Sequence, residues 1–362
     1  MLFQRFVAFG ALLGLAAARA VSQTGSAMNL VPKGSNDQES LDAIERQAGG
    51  RLPNLPPPPT LSATGIVLFQ LIAFNENLEV AFFDEIISNI TNHVPGYKRG
   101  LKSSGTSKSA LLDILRTVKA QEQLHAKTAT DTLQHFNATF IPSPCTYKFP
   151  TDSILDAINL AETLTAVVLG TLQDAEEAFA RNGDFGPVRI ISSVIGQEGE
   201  QNGFYRLFLD HVPSEKPFLT TSVAAFAFSA LQDFIVSCPF DIAQIPIPVF
   251  PRLKVLTKAE PKDTLLRFSA DLGHGAAAAS LDYSKLYVTY LVGQQLPISE
   301  PIANPYFQDG VLTFDALFPF EGNVMDGLTI AALTNASYFP DADSVVANTL
   351  AAPGLIDVDA DL

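Results

Sequence analysis

Four stretches between residues 61 and 211 repeat apolar residues at three- and four-residue steps, and each apolar stripe is broken by an acidic residue. A three-and-four step lays side chains along one face of a helix, so the pattern demands four amphipathic helices packed round a shared core. The second stretch shows it best. Leu111, Ile114, Leu115 and Val118 open the stripe, and continuing it through ILRTVKAQEQLHAKTA, residues 114–129, lands on Glu122, His125, Ala129 and then Leu133. Burying a carboxylate and an imidazole unpaired is costly, so their place on an apolar face asks for a partner, and a metal ion is the obvious one. A single Glu-x-x-His also fits a hydrogen-bonded core histidine, and the other three stretches have to decide.

In the first, residues 61–90, Glu76 falls four after Ile72 and seven before Phe83, with Glu79 close to the same face as an alternative. The second helix is capped by Ser107 or Ser109 and runs to Phe136. The third, capped by Thr151 or Asp152, carries Glu162 between Ile158 and Leu169 and stops at Asn182-Gly183. The fourth, from Pro187 to His211, puts Glu198 midway between Ile191 and Tyr205, with Gln201 three residues on. It reads Glu-x-x-Gln where the second reads Glu-x-x-His. Between the second and third helices Pro142, Pro144 and Pro150 rule out helix. About fifteen extended residues reach ~50 Å, enough to run the length of a bundle.

A shorter fifth helix is expected over Ser222 to Ser237, after which the texture changes. PIPVFPRLKVL, TLLRFSA, KLYVTYLVG, GVLTFDALFP and GLTIAALTN are short β-prone runs separated by Pro, Gly and Asp, as in an antiparallel β module. The start of the chain reads as a signal peptide: Arg5, the apolar run from Phe6 to Ala17, and the small-x-small site Ala18-Arg19-Ala20. The expected organisation is α+β and multidomain: a signal peptide over 1–20, a flexible Pro-rich arm over 21–60, a helical bundle over 61–238, and a β-sandwich-like C-terminal domain with an acidic tail over 239–362.

Secretion fits three N-glycosylation sequons, at Asn89, Asn137 and Asn335. Cys145 and Cys238 are the only cysteines, so an oxidising compartment offers them one intramolecular disulfide, the alternative being two buried thiols. The formal charge of −15 argues against nucleic-acid binding, which needs Lys and Arg in surplus. Past the signal no run reaches about 18 uninterrupted apolar residues, so no transmembrane segment is expected. His93, His135, His211 and His274 have no partner at ligand spacing. Gly273-His274-Gly275 lacks the Lys-Ser/Thr of a phosphate loop.

A buried two-metal carboxylate site takes one Glu from each of two helices and a Glu-x-x-His from each of the other two. The order here is Glu76, then Glu122 with His125, then Glu162, then Glu198 with Gln201, so one ligand of the six departs. Bridging carboxylates offset the repulsion of two cations, while imidazoles fill terminal positions. The segments AFNENLEVAFFDE, AQEQLHA, INLAETLTAVVLGTLQDAEEAF and IGQEGEQNGFYR, with CTYKFP and IVSCPFDI, resemble the ferritin-like domain of secreted fungal stress-response and late sexual-development proteins, which are related to plant desiccation-associated proteins. The resemblance covers roughly residues 60–360. It implies a ferritin-like four-helix bundle and a metal site for two iron or manganese ions, with Glu122 and Glu198 bridging and Glu76, His125 and Glu162 terminal. No reaction comes with it. Gln201 stands where the pattern has a second His, a weaker and neutral ligand.

Two readings of function stay open. In one, a secreted ferritin-like protein activates oxygen or peroxide at the metal site in stress or development. Bulk iron storage fits poorly, because a closed shell of subunits has little room for a β appendage and glycans. In the other, a noncatalytic extracellular or cell-wall protein keeps the inward polar residues as a hydrogen-bonded network, and its β module binds glycan or a protein partner.

Overall fold

The structure, a computed structural model, describes residues 35–97, 106–274 and 281–359. The signal peptide expected over residues 1–20 lies outside them. The chain divides into two compact units, Met1–Leu41 and Asp42–Leu362. The first is described only from Ser35, where helix α1 (Ser35–Ala48) starts. The arm expected over residues 21–60 is therefore partly helical. Ile44 and Ala48, four apart, give the end of α1 one apolar side, and Glu45 turns the chain by accepting the Leu52 N–H at 3.1 Å. Extended chain follows, through Pro53 to Pro59.

Four long helices build the bundle: α2 (Ala63–Thr91), α3 (Lys108–His135), α4 (Ile154–Arg181) and α5 (Phe185–Phe208). Ser62, Ser107 and Ser153 cap the first three, each accepting a backbone N–H of the opening turn. The cap of α4 is thus Ser153, not Thr151 or Asp152. Asp184, at the start of α5, bonds the Ser62 amide and hydroxyl. It ties the start of α2 to the turn between α4 and α5. Gly65 belongs to the same joint, where a Cβ would lie 2.7 Å from an Asp184 carboxylate oxygen.

Contacts fix the helix directions. Phe69 near the start of α2 meets Phe179 near the end of α4, at 5.4 Å between ring centroids. Beyond the other end of α2, Tyr97 bonds Thr151 just ahead of α4. So α2 and α4 are antiparallel, and the chain from α3 to α4 must travel the bundle's length. It does. Gln70 and Asn77 of α2 donate to the Phe140 and Pro142 carbonyls, and Phe149 packs on Phe82 further along. Phe74, Phe82 and Phe83 are at most 2% exposed, and each such burial contributes about 1.5–3 kcal/mol.

The fifth helix, α6 (Ala224–Leu231), stops well short of the expected Ser237. A 3-10 turn follows, and β-branched Ile235 and Val236 enter strand β2 (Ile235–Ser237), which pairs with β1 (Thr146–Tyr147) of the crossover. The Cys145–Cys238 disulfide, 93 residues apart in sequence, closes that ribbon.

Next come β3 (Leu253–Val255), β4 (Thr264–Asp271), β5 (Tyr287–Val292), β6 (Ile298–Pro301), β7 (Ala303–Gln308), β8 (Val311–Phe318), β9 (Gly327–Thr334) and β10 (Thr349–Val358). They form two antiparallel sheets of four, ordered β10-β9-β5-β6 and β3-β4-β8-β7. In β8 burial alternates, with Leu312, Phe314, Ala316 and Phe318 facing the sandwich core. β9 is buried throughout, because Ala331 and Leu333 face that core while Leu328, Ile330 and Ala332 pack on α4 and α6. The bundle and the sandwich share that second core, which is why contacts join them in one unit.

Two helices, α2 and α4, are long and apolar enough to cross a membrane, yet 67% and 72% of their most apolar windows are buried inside the fold. They are core helices by packing, and no clear transmembrane segment stands out among the described residues.

Candidate metal centre

Halfway along the bundle α2, α3 and α5 point acids at one another. Glu76, Glu122 and Glu198 are each 1% exposed and Glu79 4%. His125 Nδ1 lies 2.8 Å from Glu122 Oε2 and 3.7 Å from both Glu76 Oε2 and Glu198 Oε1. One donor atom from each of Glu76, Glu122, His125 and Glu198 falls within 4.8 Å of the others. Glu79, one turn beyond Glu76, is close enough to be pushed by the charges of Glu122, Glu76 and Glu198. Glu79 does not replace Glu76: it lies beside the cluster, and its carboxylate is not among the mutually close donor atoms.

Gln201 also arrives, but through its amide nitrogen, which donates to Glu122 Oε1 at 2.7 Å. Its own oxygen accepts from the Tyr205 hydroxyl at 3.4 Å. Gln121 and Gln197 extend this amide chain outward: Gln121 Oε1 accepts from Gln197 at 3.0 Å and from Gln201 at 3.2 Å. Neither was expected from the stripe. Gln197 precedes Gln201 by one turn, and that spacing was the available signal.

Glu162 does not reach the cluster. Opposite Glu76, helix α4 presents Val168, Thr171 and Leu172. Glu162 lies six residues earlier, about 9 Å along the axis. There it accepts from Arg206 Nη1 at 2.9 Å, and Arg206 also bonds Asp359 just past β10. Asp357 completes a second acidic group with Glu162 and Asp359. The ligand role expected for Glu162 is therefore corrected. Its partner is a buried guanidinium, 2% exposed, one residue after the inward Tyr205.

Burial sets the protonation of the first cluster. It pushes Glu76 up to about 7, against the pull of His125 and with the push of Glu122. Burial, then the surrounding carboxylates, hold Glu79 and Glu198 well above the ordinary carboxylate range. For His125 burial favours the neutral ring, but Glu122 and Glu76 outweigh it and raise the imidazole well above its usual value. Without a cation the cluster must therefore take up protons.

Protons do not satisfy it fully. Among the described residues Glu76 Oε2 and both oxygens of Glu198 have no hydrogen-bond partner. Buried carboxylate oxygens seldom stay unpaired, since each such group costs on the order of 1–3 kcal/mol or more. Three orphaned oxygens round one imidazole fit a cation held by hard oxygen donors and one nitrogen. Donor atoms on a first-row cation with bonds of ~2.1 Å would lie no more than ~4.2 Å apart, a limit met by the 2.8 and 3.7 Å separations at His125 Nδ1.

Residues 66–211 match the family model of the ferritin-like domain. The match spans all four long helices. No curated protein matches the chain. The ferritin-like domain thus carries a buried carboxylate–histidine cluster compatible with a two-metal site. Its donor set departs from the six-ligand pattern of such domains. Gln201 replaces a histidine, and among the described residues α4 supplies no carboxylate.

Proposed function

We propose that the ferritin-like domain holds iron or manganese among Glu76, Glu122, His125 and Glu198, with Glu79 beside them, in a secreted glycoprotein that acts in stress or development. The observation that carries the reading is the set of orphaned oxygens on Glu76 and Glu198 beside His125. When bound, either metal would supply one-electron chemistry toward oxygen or peroxide. The chain's own part is to bind and to keep water out. Glu122 holds His125 in place, Gln201 holds Glu122, and Tyr205, stacked on Phe83 at 6.2 Å, seals the floor.

Elemental analysis of the purified native protein tests this. Near-stoichiometric iron or manganese is expected, lost in His125→Ala and Glu122→Ala and kept in Glu162→Gln. A metal-free protein whose stability neither alanine variant changes would sink it. Secretion is supported by the apolar start and by Asn137 and Asn335, which stand exposed in loops, whereas Asn89 sits half-buried in the last turn of α2. Sequencing the mature N-terminus, expected at Val21, checks that part.

The competing reading, a noncatalytic extracellular protein whose β module binds glycan or protein, has the Gln201–Glu122–His125 hydrogen bonds in its favour. It leaves the Glu198 oxygens unexplained.

A further inference from the structure

Carboxylates that are only 1% exposed, as Glu76, Glu122 and Glu198 are, need a way in. Between α3 and α5 lies an open cleft of about 390 Å³, whose lining includes Asp113, Thr117, Gln121, Gln197, Glu200 and Gln201. No lysine or arginine is among its lining residues. Asp113 and Glu200 stand exposed at its mouth. Asp113 pairs with Arg116 at 3.2 Å, an exposed contact that contributes little.

Three amides, those of Gln121, Gln197 and Gln201, line the cleft beside Ile114 and Val118. Gln121 is the hub: its nitrogen donates to the Ala48 carbonyl at the end of α1, at 3.3 Å, and its oxygen gathers Gln197 and Gln201. Gln201 touches both the cleft and Glu122. Gln201 thus links the cleft directly to a carboxylate of the cluster.

We propose that this cleft is the route by which a divalent cation reaches the buried carboxylates, and that Gln201 is its gate. The proposal rests on the metal-binding reading above. Acids at the mouth concentrate cations, and amide oxygens replace their hydration water on the way in. At the floor Gln201 presents nitrogen, not oxygen, to Glu122, which repels a cation. Rotation of the Gln201 amide exchanges the two atoms, breaks its hydrogen bonds to Glu122 and Gln121, and opens the path.

Stopped-flow binding of Co²⁺ to the full-length protein, followed by its visible absorption, measures the route; equilibrium dialysis measures the destination. Thr117→Phe, which fills the cleft, should slow association by at least about tenfold and leave the final stoichiometry unchanged. Asp113→Lys with Glu200→Lys should slow association about tenfold at low salt and converge on the wild type at high salt. Both of those residues are exposed, so the pair decides if Thr117→Phe fails to fold. Gln121→Ala, which removes one of the hydrogen bonds that hold Gln201, should speed association. Unchanged rates in the filled and charge-reversed variants, with normal stoichiometry, overturn the route and spare the metal site. A wild type that binds no Co²⁺ at equilibrium overturns both.

Discussion

Among the described residues the chain buries two clusters of three or more acids at candidate metal-ligand spacing and answers them differently. At Glu162, Asp357 and Asp359 a permanent cation is built in: Arg206 bonds Glu162 and Asp359, although Glu162 Oε2 and Asp357 Oδ1 accept no hydrogen bond among the described residues. At Glu76, Glu79, Glu122 and Glu198 only His125 is cationic, and three oxygens have no partner among the described residues. A guanidinium fills the place a metal would take, so the second cluster works as a clasp between the bundle and the end of β10. The first lacks that filling. The contrast separates a structural use of buried acids from a ligating one, although both look alike as inward glutamates on a helix.

The largest test of the contrast removes the built-in cation. Arg206→Ala leaves three buried acids facing one another, and breaking a buried pair from one side costs about 3–5 kcal/mol. Urea denaturation should show that loss, with part of it regained when Asp359→Asn is added. A loss below about 1 kcal/mol would mean that Arg206 is not what holds the second cluster together. Added Mn²⁺ should not rescue the variant through the second cluster, because Glu162, pushed up to about 10 by burial and then by Asp357, keeps its proton against Asp357.

Proton dependence comes next in size. Glu76 has a folded pKa of about 7, above its unfolded 4.5. Its contribution to stability is then complete below the unfolded value and is lost as pH rises through about 7. For Glu76 that loss is on the order of 3 kcal/mol. His125, also raised, changes stability in the same direction, as do Asp357, raised to about 6, and Asp174, raised to about 8, each chiefly by burial. Metal-free protein should therefore melt at progressively lower temperature from pH 5 to pH 8. Glu76→Gln should remove the part of the fall between about pH 4.5 and 7 and leave the rest. Saturating Mn²⁺ should flatten the profile, because the cation takes the place of the protons. A metal-free melting temperature independent of pH would break the argument that the cluster is held by protons alone.

Much of this was legible one helix at a time. The stripes of α2, α3 and α5 put Glu76, Glu122, His125 and Glu198 inward, and the prolines of the crossover set its length. What periodicity cannot give is depth. It says that Glu162 faces in, but not that antiparallel packing of α4 on α2 sets Val168 and Thr171 opposite Glu76. The true partners of Glu162 come from a different helix and from a strand almost 200 residues away, at Asp357. Two acids two residues apart on one strand do share a face, and a buried Arg beside an inward Tyr needs acids, so the signals existed without being linked. The overlong fifth helix has a similar cause: Ile235 and Val236 follow the helical pattern, yet their pairing with the crossover beside the disulfide decides.

The smallest expected effect is the sharpest, because the same kind of substitution should have opposite signs in the two clusters. Neither oxygen of Glu198 accepts a hydrogen bond among the described residues, and burial, then Glu76 and Glu122, hold its carboxyl well above the ordinary range. At pH 8 the unfolded chain carries this group ionised and the folded one must protonate it, which costs stability. Glu198→Gln removes that cost at nearly the same volume, and the new amide can donate to a neighbouring carboxylate. The metal-free variant should be more stable than the wild type by about 1–2 kcal/mol at pH 8, with the gain fading toward pH 5. In the second cluster Asp359→Asn takes a charged partner from Arg206 and should destabilise the otherwise unmutated protein. With Mn²⁺ present the order at Glu198 should invert, since the amide is a weaker, neutral ligand. If Glu198→Gln instead weakens the metal-free fold as Asp359→Asn does, both clusters are clasps, and the ligating role of the first is lost.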